Sequence, residues 1–160
     1  MNDSIAKPKL KNGSDALLLA PAGMSLKFFL KSLLFFILFT HALAVFYNLY
    51  NLIGPLDVVL HFIGGFWLGA SAFYFLYKMK PGWVSQPYIV SLLFIVGVSA
   101  IFGILWEFFE YASDQFFYFF HVTKMSLAQP GLADTLSDLF FDLMGGLLAA
   151  LYFLRGKSKF

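Results

Sequence analysis

The chain contains no cysteine, which excludes a disulfide framework, a thiolate metal site and a cysteine nucleophile. Charge is scarce: 12% of the 160 residues are charged, against roughly a quarter in soluble domains. No Ser or Thr falls in a nucleophile motif, and no glycine-rich loop is built to cradle phosphate, so triad and P-loop chemistry find no support. The lysine clusters are short and adjoin apolar blocks, a pattern that gives no reason to expect nucleic acid as a partner. The most telling shortage is of basic partners for the acids. Seven of the nine acidic residues lie between Asp57 and Asp142: Asp57, Glu107, Glu110, Asp114, Asp134, Asp138 and Asp142. Ten of the eleven Lys and Arg sit in the stretch to Lys31, at Lys78 and Lys80, or in the tail from Arg155, and only Lys124 falls among the acids.

What is present is mostly apolar. The chain is 60% hydrophobic and 21% aromatic, with a mean hydropathy of +0.77, and its apolar residues come in long blocks. About 20 apolar residues cross a hydrocarbon layer as a helix. Four such spans are predicted, at about residues 26–50, 57–77, 88–111 and 134–154. The fold class is therefore an all-α integral membrane protein, a four-transmembrane-helix bundle over residues 26–154. Residues 1–25 read as a mostly disordered tail and 155–160 as a short basic one. No internal repeat is evident, although the second and fourth spans both open on an acid and later carry paired glycines.

Positive charge sets orientation, because Lys and Arg are retained on the cytoplasmic side. Lys7, Lys9, Lys11, Lys27 and Lys31 flank the first span, Lys78 and Lys80 occupy the second loop, and Arg155, Lys157 and Lys159 follow the last span. Both termini and the second loop are thus expected in the cytoplasm, with the 51–56 loop and the 112–133 connection outside. A cleaved signal peptide ending at Ala42-Leu43-Ala44 is an alternative for the first span; its n-region would be unusually long, and the other three spans would keep their orientation.

This topology carries every acidic cluster to one outward-facing depth. Asp57-x-x-x-His61 puts two potential ligands on one helix face. The same Asp57 also suits a helix start, where free N–H groups favour a carboxylate, and His61 also suits a neutral imidazole bonded to a neighbouring helix. Glu107 and Glu110 share a face among aromatics, as a bridging pair or, for Glu110, as a solvated headgroup-level residue. Asp134, Asp138 and Asp142 recur every four residues down one face. Asp134 fits a helix cap as well, whereas Asp142 lies two turns inside the span. His41 stands in the outer half of the first span, and Asp114 and His121 lie in the connection, outside the expected core of the site. Gly65-x-x-x-Gly69, Gly64-Gly65 and Gly145-Gly146 allow close helix approach just below the acids.

The order Asp57-Val-Val-Leu-His61-Phe62, Glu107 with Glu110, then Asp134-Thr135-Leu136-Ser137-Asp138 followed by Asp142 and Gly145-Gly146 resembles the VanZ-like superfamily, nearest its YjdF-type (DUF2238) branch. The resemblance covers roughly residues 40–150 and implies a small multi-span bacterial membrane protein. Where VanZ-like sequences often carry Asn before the last glycine, this chain has Asp142, so its site is more acidic. That superfamily's association with glycopeptide tolerance brings no settled mechanism, so the resemblance implies a site rather than an activity.

An acidic site with almost no basic partner needs protons, a metal or a cationic ligand to neutralise it. The expectation is a metal-dependent hydrolase or transferase of the bacterial cytoplasmic membrane, acting at the outer leaflet on a lipid headgroup or lipid-linked envelope precursor. Asp57, His61, Glu107, Asp138 and Asp142 are the candidate ligands of a divalent ion (Mg, Mn or Zn), and His61, Glu107 and Glu110 the candidate catalytic groups. Two other readings stay open. One is cation or proton transport, in a homo-oligomer because one bundle leaves little room for a pore. The other is a non-catalytic component with a structural polar network or a cationic-ligand receptor.

Overall fold

The computed structural model describes residues 25–79, 88–120, 128 and 131–155. The expected tails fall outside the described residues apart from Ser25 and Arg155, as do Lys80, His121 and Lys124. The first helix, α1 (Leu26–Phe46), begins at Ser25, whose Oγ accepts the Phe28 backbone N–H at 3.3 Å. It stops short of residue 50 because Asn48 takes a left-handed conformation (φ 58°), which asparagine tolerates better than bulkier residues. Asn51 Nδ2 donates to Asn48 Oδ1 at 2.6 Å, within the turn that forms the short helix α2 (Leu49–Leu52). Pro55 then precedes α3 (Leu56–Met79), its carbonyl accepting the Val59 N–H.

The next helix, α4 (Tyr88–Phe119), has 32 residues. That is about 48 Å, well beyond the ~30 Å of hydrocarbon. It passes the expected end of the third span at Tyr111 because the run to Phe119 contains no Gly or Pro and keeps one buried face through Asp114. The last helix is α5 (Leu132–Arg155). Among the described residues there is no strand, and α1, α3, α4 and α5 are each long and apolar enough to cross a membrane.

Helices α3 and α5 run parallel, while α1 and α4 run the other way. The centre of the bundle is the seam between α3 and α5. A Cβ at Gly65 would collide with the Asp142 backbone, and one at Gly145 with the backbone of Phe62 and Phe66. Only glycine permits that approach, which brings the two backbones together at the level of the acids. Ser99 of α4 donates to the Gly65 carbonyl at 3.2 Å, and Trp67 Nε1 donates to Leu30 O of α1 at 2.7 Å.

The seam has a regularity. Asp57, His61, Gly64 and Gly65 of α3 stand at the same spacing as Asp138, Asp142, Gly145 and Gly146 of α5, 81 residues later. The apolar letters between them differ, which hides the correspondence in the sequence. In space the equivalent residues His61 and Asp142 are hydrogen-bonded to each other.

The two ends of the bundle differ in kind. One end buries Leu26, Leu30, Phe73, Leu76, Ile95, Phe153 and Leu154 in an apolar cluster. The described Lys27, Lys31, Lys78 and Arg155 lie towards that end, at the start of α1 and the ends of α3 and α5. The other end buries His61, Glu107, Glu110, Asp138 and Asp142. Large apolar side chains such as Phe35, Phe39, Leu93, Ile101 and Phe108 face outward instead. In water that surface would be a liability, and in lipid it is the expected belt.

Candidate functional site

The site is assembled from the buried stripe of α4 and the first turns of α3 and α5. Along α4 the buried residues are Ser91, Ile95, Ser99, Gly103, Glu107, Glu110 and Asp114, spaced by three or four. Ser91, Ile95, Ser99 and Gly103 occupy this stripe first, and carboxylates follow from Glu107 onward. Gly103 makes space in the site, because its missing Cβ leaves room for the carboxylate of Asp142, whose Oδ2 would otherwise be 2.5 Å from it.

His61 is the hub. Its Nδ1 is 3.2 Å from Asp142 Oδ2, within hydrogen-bond range, and 3.8 Å from Glu107 Oε1. Its Nε2 is 3.8 Å from Asp57 Oδ1 and 3.8 Å from Glu110 Oε2, and has no hydrogen-bond partner. His61 is 5% exposed, Glu110 1% and Asp138 1%, so water supplies little of the missing solvation. Asp138 Oδ1 and Asp134 Oδ2 also lack a hydrogen-bond partner.

The sequence-predicted site residues all come to this region; all but Asp142, together with Asp134, fall into three groups whose donor atoms lie within 4.8 Å of one another: Asp57, His61 and Glu110; His61, Glu107 and Asp138; and Asp57, Asp134 and Asp138. Asp142 enters as the hydrogen-bond partner of His61. Asp134, which alone would suit a cap, sits inside the first turn of α5 with its backbone N–H bonded to Gly131 O, and its side chain belongs to the cluster. Asp114 lies further along the stripe, where its Oδ1 accepts the Ala128 N–H at 3.0 Å and ties the chain after α4 back onto that helix.

His41, expected at this depth, reaches the site, and Tyr50 extends it beyond the sequence reading. His41 Nδ1 is 2.6 Å from the Tyr50 hydroxyl and 4.0 Å from Glu110 Oε1, and its ring meets Trp106 edge-on at 5.0 Å. Burial first, and then Asp57, Glu110 and Asp138, push the Tyr50 hydroxyl above its ordinary range, which keeps it protonated. The signal for Tyr50 was available in the Asn48 and Asn51 that flank it, since paired asparagines at a span end mark a turn. A cavity of about 160 Å³ opens beside these groups. Leu34 and Leu38 of α1, Leu68 of α3 and Phe102 and Trp106 of α4 wall it, with Asp57, His61, Glu110 and Asp142 at its polar side.

These features define an all-helical, four-span integral membrane protein with a buried carboxylate–histidine cluster at one end. The chain belongs to the DUF2238 family, described as predicted membrane proteins, whose model matches residues 15–159. A relative from Thermotoga maritima, described as an uncharacterized protein, is 34% identical over 113 residues. That stretch covers 71% of this chain and 55% of the relative, so the chain spans about half the length of the curated relative it matches. No solved structure matches the chain.

Proposed function

We propose that the cluster is a divalent-cation centre of a metal-dependent membrane hydrolase or transferase, acting on a lipid headgroup or lipid-linked precursor. The observation that carries this reading is the asymmetric environment of His61. Nδ1 is engaged by Asp142 while Nε2, buried and without a hydrogen-bond partner, faces Asp57 and Glu110 at 3.8 Å each. Such a gap is longer than a hydrogen bond of up to about 3.2 Å. It fits two ligands on one ion, which at bonds of about 2.0–2.2 Å stand no more than about 4.4 Å apart. Metal-bound histidines commonly donate their other ring N–H to a carboxylate, the arrangement His61 has with Asp142.

In this reading Asp57, His61 and Glu110 hold the ion and Asp142 fixes the ring. Glu107 stands on the Nδ1 side of His61 at 3.8 Å and shares a donor group with His61 and Asp138. A divalent ion there would polarise a phosphoryl or carbonyl oxygen and lower the pKa of a bound water. The apolar cavity beside the cluster favours a substrate that keeps its hydrocarbon in the membrane while presenting its polar group to the acids. Among the described residues, no acid, base or histidine is buried at the opposite end of the bundle, which favours a one-sided site over a conduction path. With Lys27, Lys31, Lys78 and Arg155 towards that end, the positive-inside rule turns the acids to the outer face of the cytoplasmic membrane.

The test is a screen of lipid phosphates and lipid-linked pyrophosphates with protein reconstituted in the presence of Mn or Mg. Headgroup release by the native chain, lost in His61→Ala and Glu110→Gln, is expected. Release that persists unchanged in both variants contradicts the assignment.

A further inference from the structure

Asp57 belongs to two groups of converging donors. One, with His61 and Glu110, supplies nitrogen and oxygen; the other, with Asp134 and Asp138, supplies oxygen only. We infer that Asp57, Asp134 and Asp138 hold a second, oxygen-ligated divalent cation, with the Asp57 carboxylate shared between the two ions. The inference rests on the reading of His61 as a cation ligand and adds to it a site of different chemistry.

Helix starts alone do not explain the second group. Asp57 and Asp134 each lie in a first turn, where the helix dipole favours a carboxylate. That accounts for each acid on its own helix but not for their meeting. The glycine seam sets α3 and α5 parallel, so that Asp57 in the first turn of α3 meets Asp134 and Asp138 on successive turns of α5. Asp138 lies a turn deeper, at 1% exposure, and its Oδ1 has no hydrogen-bond partner. Oδ2 of Asp134 is likewise buried without one. Three ionised carboxylates with donor atoms within 4.8 Å repel one another unless protons or a cation neutralise them. The described Lys and Arg side chains belong to the far parts of α1, α3 and α5, and the nearest base, His61, is shared by Asp142, Asp57, Glu107, Glu110 and Asp138, one imidazole among five carboxylates. An all-oxygen set suits hard ions such as Mg or Mn.

A carboxylate shared between neighbouring ions gives the pair a signature that neither ion has alone. The full chain in mild detergent is loaded with Mn, freed of excess metal, and examined by elemental analysis and electron paramagnetic resonance. The expected result is a spin-coupled Mn signal in the native chain. In Asp134→Asn the Mn content should halve and an isolated-ion spectrum should appear, while His61→Ala should remove the other ion. Native chain carrying one uncoupled Mn, with Asp134→Asn unchanged, overturns the second site and leaves the His61 site standing. Absence of bound Mn overturns both. If Asp134→Asn does not fold, the native spectrum decides: coupling supports the shared carboxylate and an uncoupled ion refutes it.

Discussion

At the residue scale the environment of His61 separates two kinds of neighbour, and the distinction can be measured. A carboxylate that only orients a metal-bound histidine typically contributes 10–100-fold in affinity, whereas loss of the ligand removes the site. Asp142→Asn is therefore expected to weaken Mn binding by about 10–100-fold in a titration, with His61→Ala abolishing the same ion. Equal effects of the two would place Asp142 among the ligands. Tyr50 provides a contrast: Tyr50→Phe removes its hydrogen bond to His41, at a cost of about 1 kcal/mol in unfolding free energy, without changing metal content. Much of this was legible in the sequence, because an acid inside an apolar run is conspicuous. Asp57, Glu107, Glu110, Asp138 and Asp142 all declare themselves that way, and His61 stands one turn after Asp57. The partition of His61 between Asp142 on one nitrogen and Asp57 with Glu110 on the other was not legible, since it depends on ring orientation between three helices. Asp134 was obscured by a competing local explanation, the helix start.

At the scale of the element, the glycine seam between α3 and α5 aligns the acids and is the place where packing and site are coupled. Gly65→Val or Gly145→Val would push the two backbones apart and should destabilise the protein by about 1–3 kcal/mol or more, read from unfolding in detergent. Ser99→Ala, which removes one hydrogen bond to Gly65 O in the same place, should cost only about 0.6 kcal/mol. Gly103→Ala is a more pointed variant, because its methyl meets the Asp142 side chain rather than a backbone, so the loss should appear in metal affinity as well as stability. Paired glycines announced close approach, and apolar runs announced helices. The ends of the helices were harder to read. Asn48 ends α1 through a positive φ that hydropathy does not register, and α4 outlasts its apolar run because Asp114 stays on the buried stripe.

At the scale of the whole molecule, charge is sorted along the bundle, with carboxylates buried at one end and the described fixed cations towards the other. Span count and fold class follow from the length and placement of the apolar blocks, because hydrocarbon requires each helix to satisfy its own backbone. The convergence of three sequence-distant clusters needed the packing of α4 against both α3 and α5. Orientation can be checked directly in a chain that has no cysteine of its own. Cysteine at Gly54, where a Cβ meets no neighbour, should be labelled by an impermeant maleimide in intact cells, and cysteine at Lys78 only after permeabilisation. The reverse pattern would turn the site to the cytoplasm. A cation that binds only the folded chain should also stabilise it, by about 2.7 kcal/mol at a hundredfold excess over its dissociation constant.

The most direct measurement is the metal content of the purified native chain beside His61→Ala and Glu110→Gln, by elemental mass spectrometry after equilibration with Mg, Mn or Zn. Stoichiometric metal in the native chain and its loss in both folded variants is the predicted result. A native chain that stays folded and metal-free under those conditions would contradict the assignment of the cluster as a cation centre.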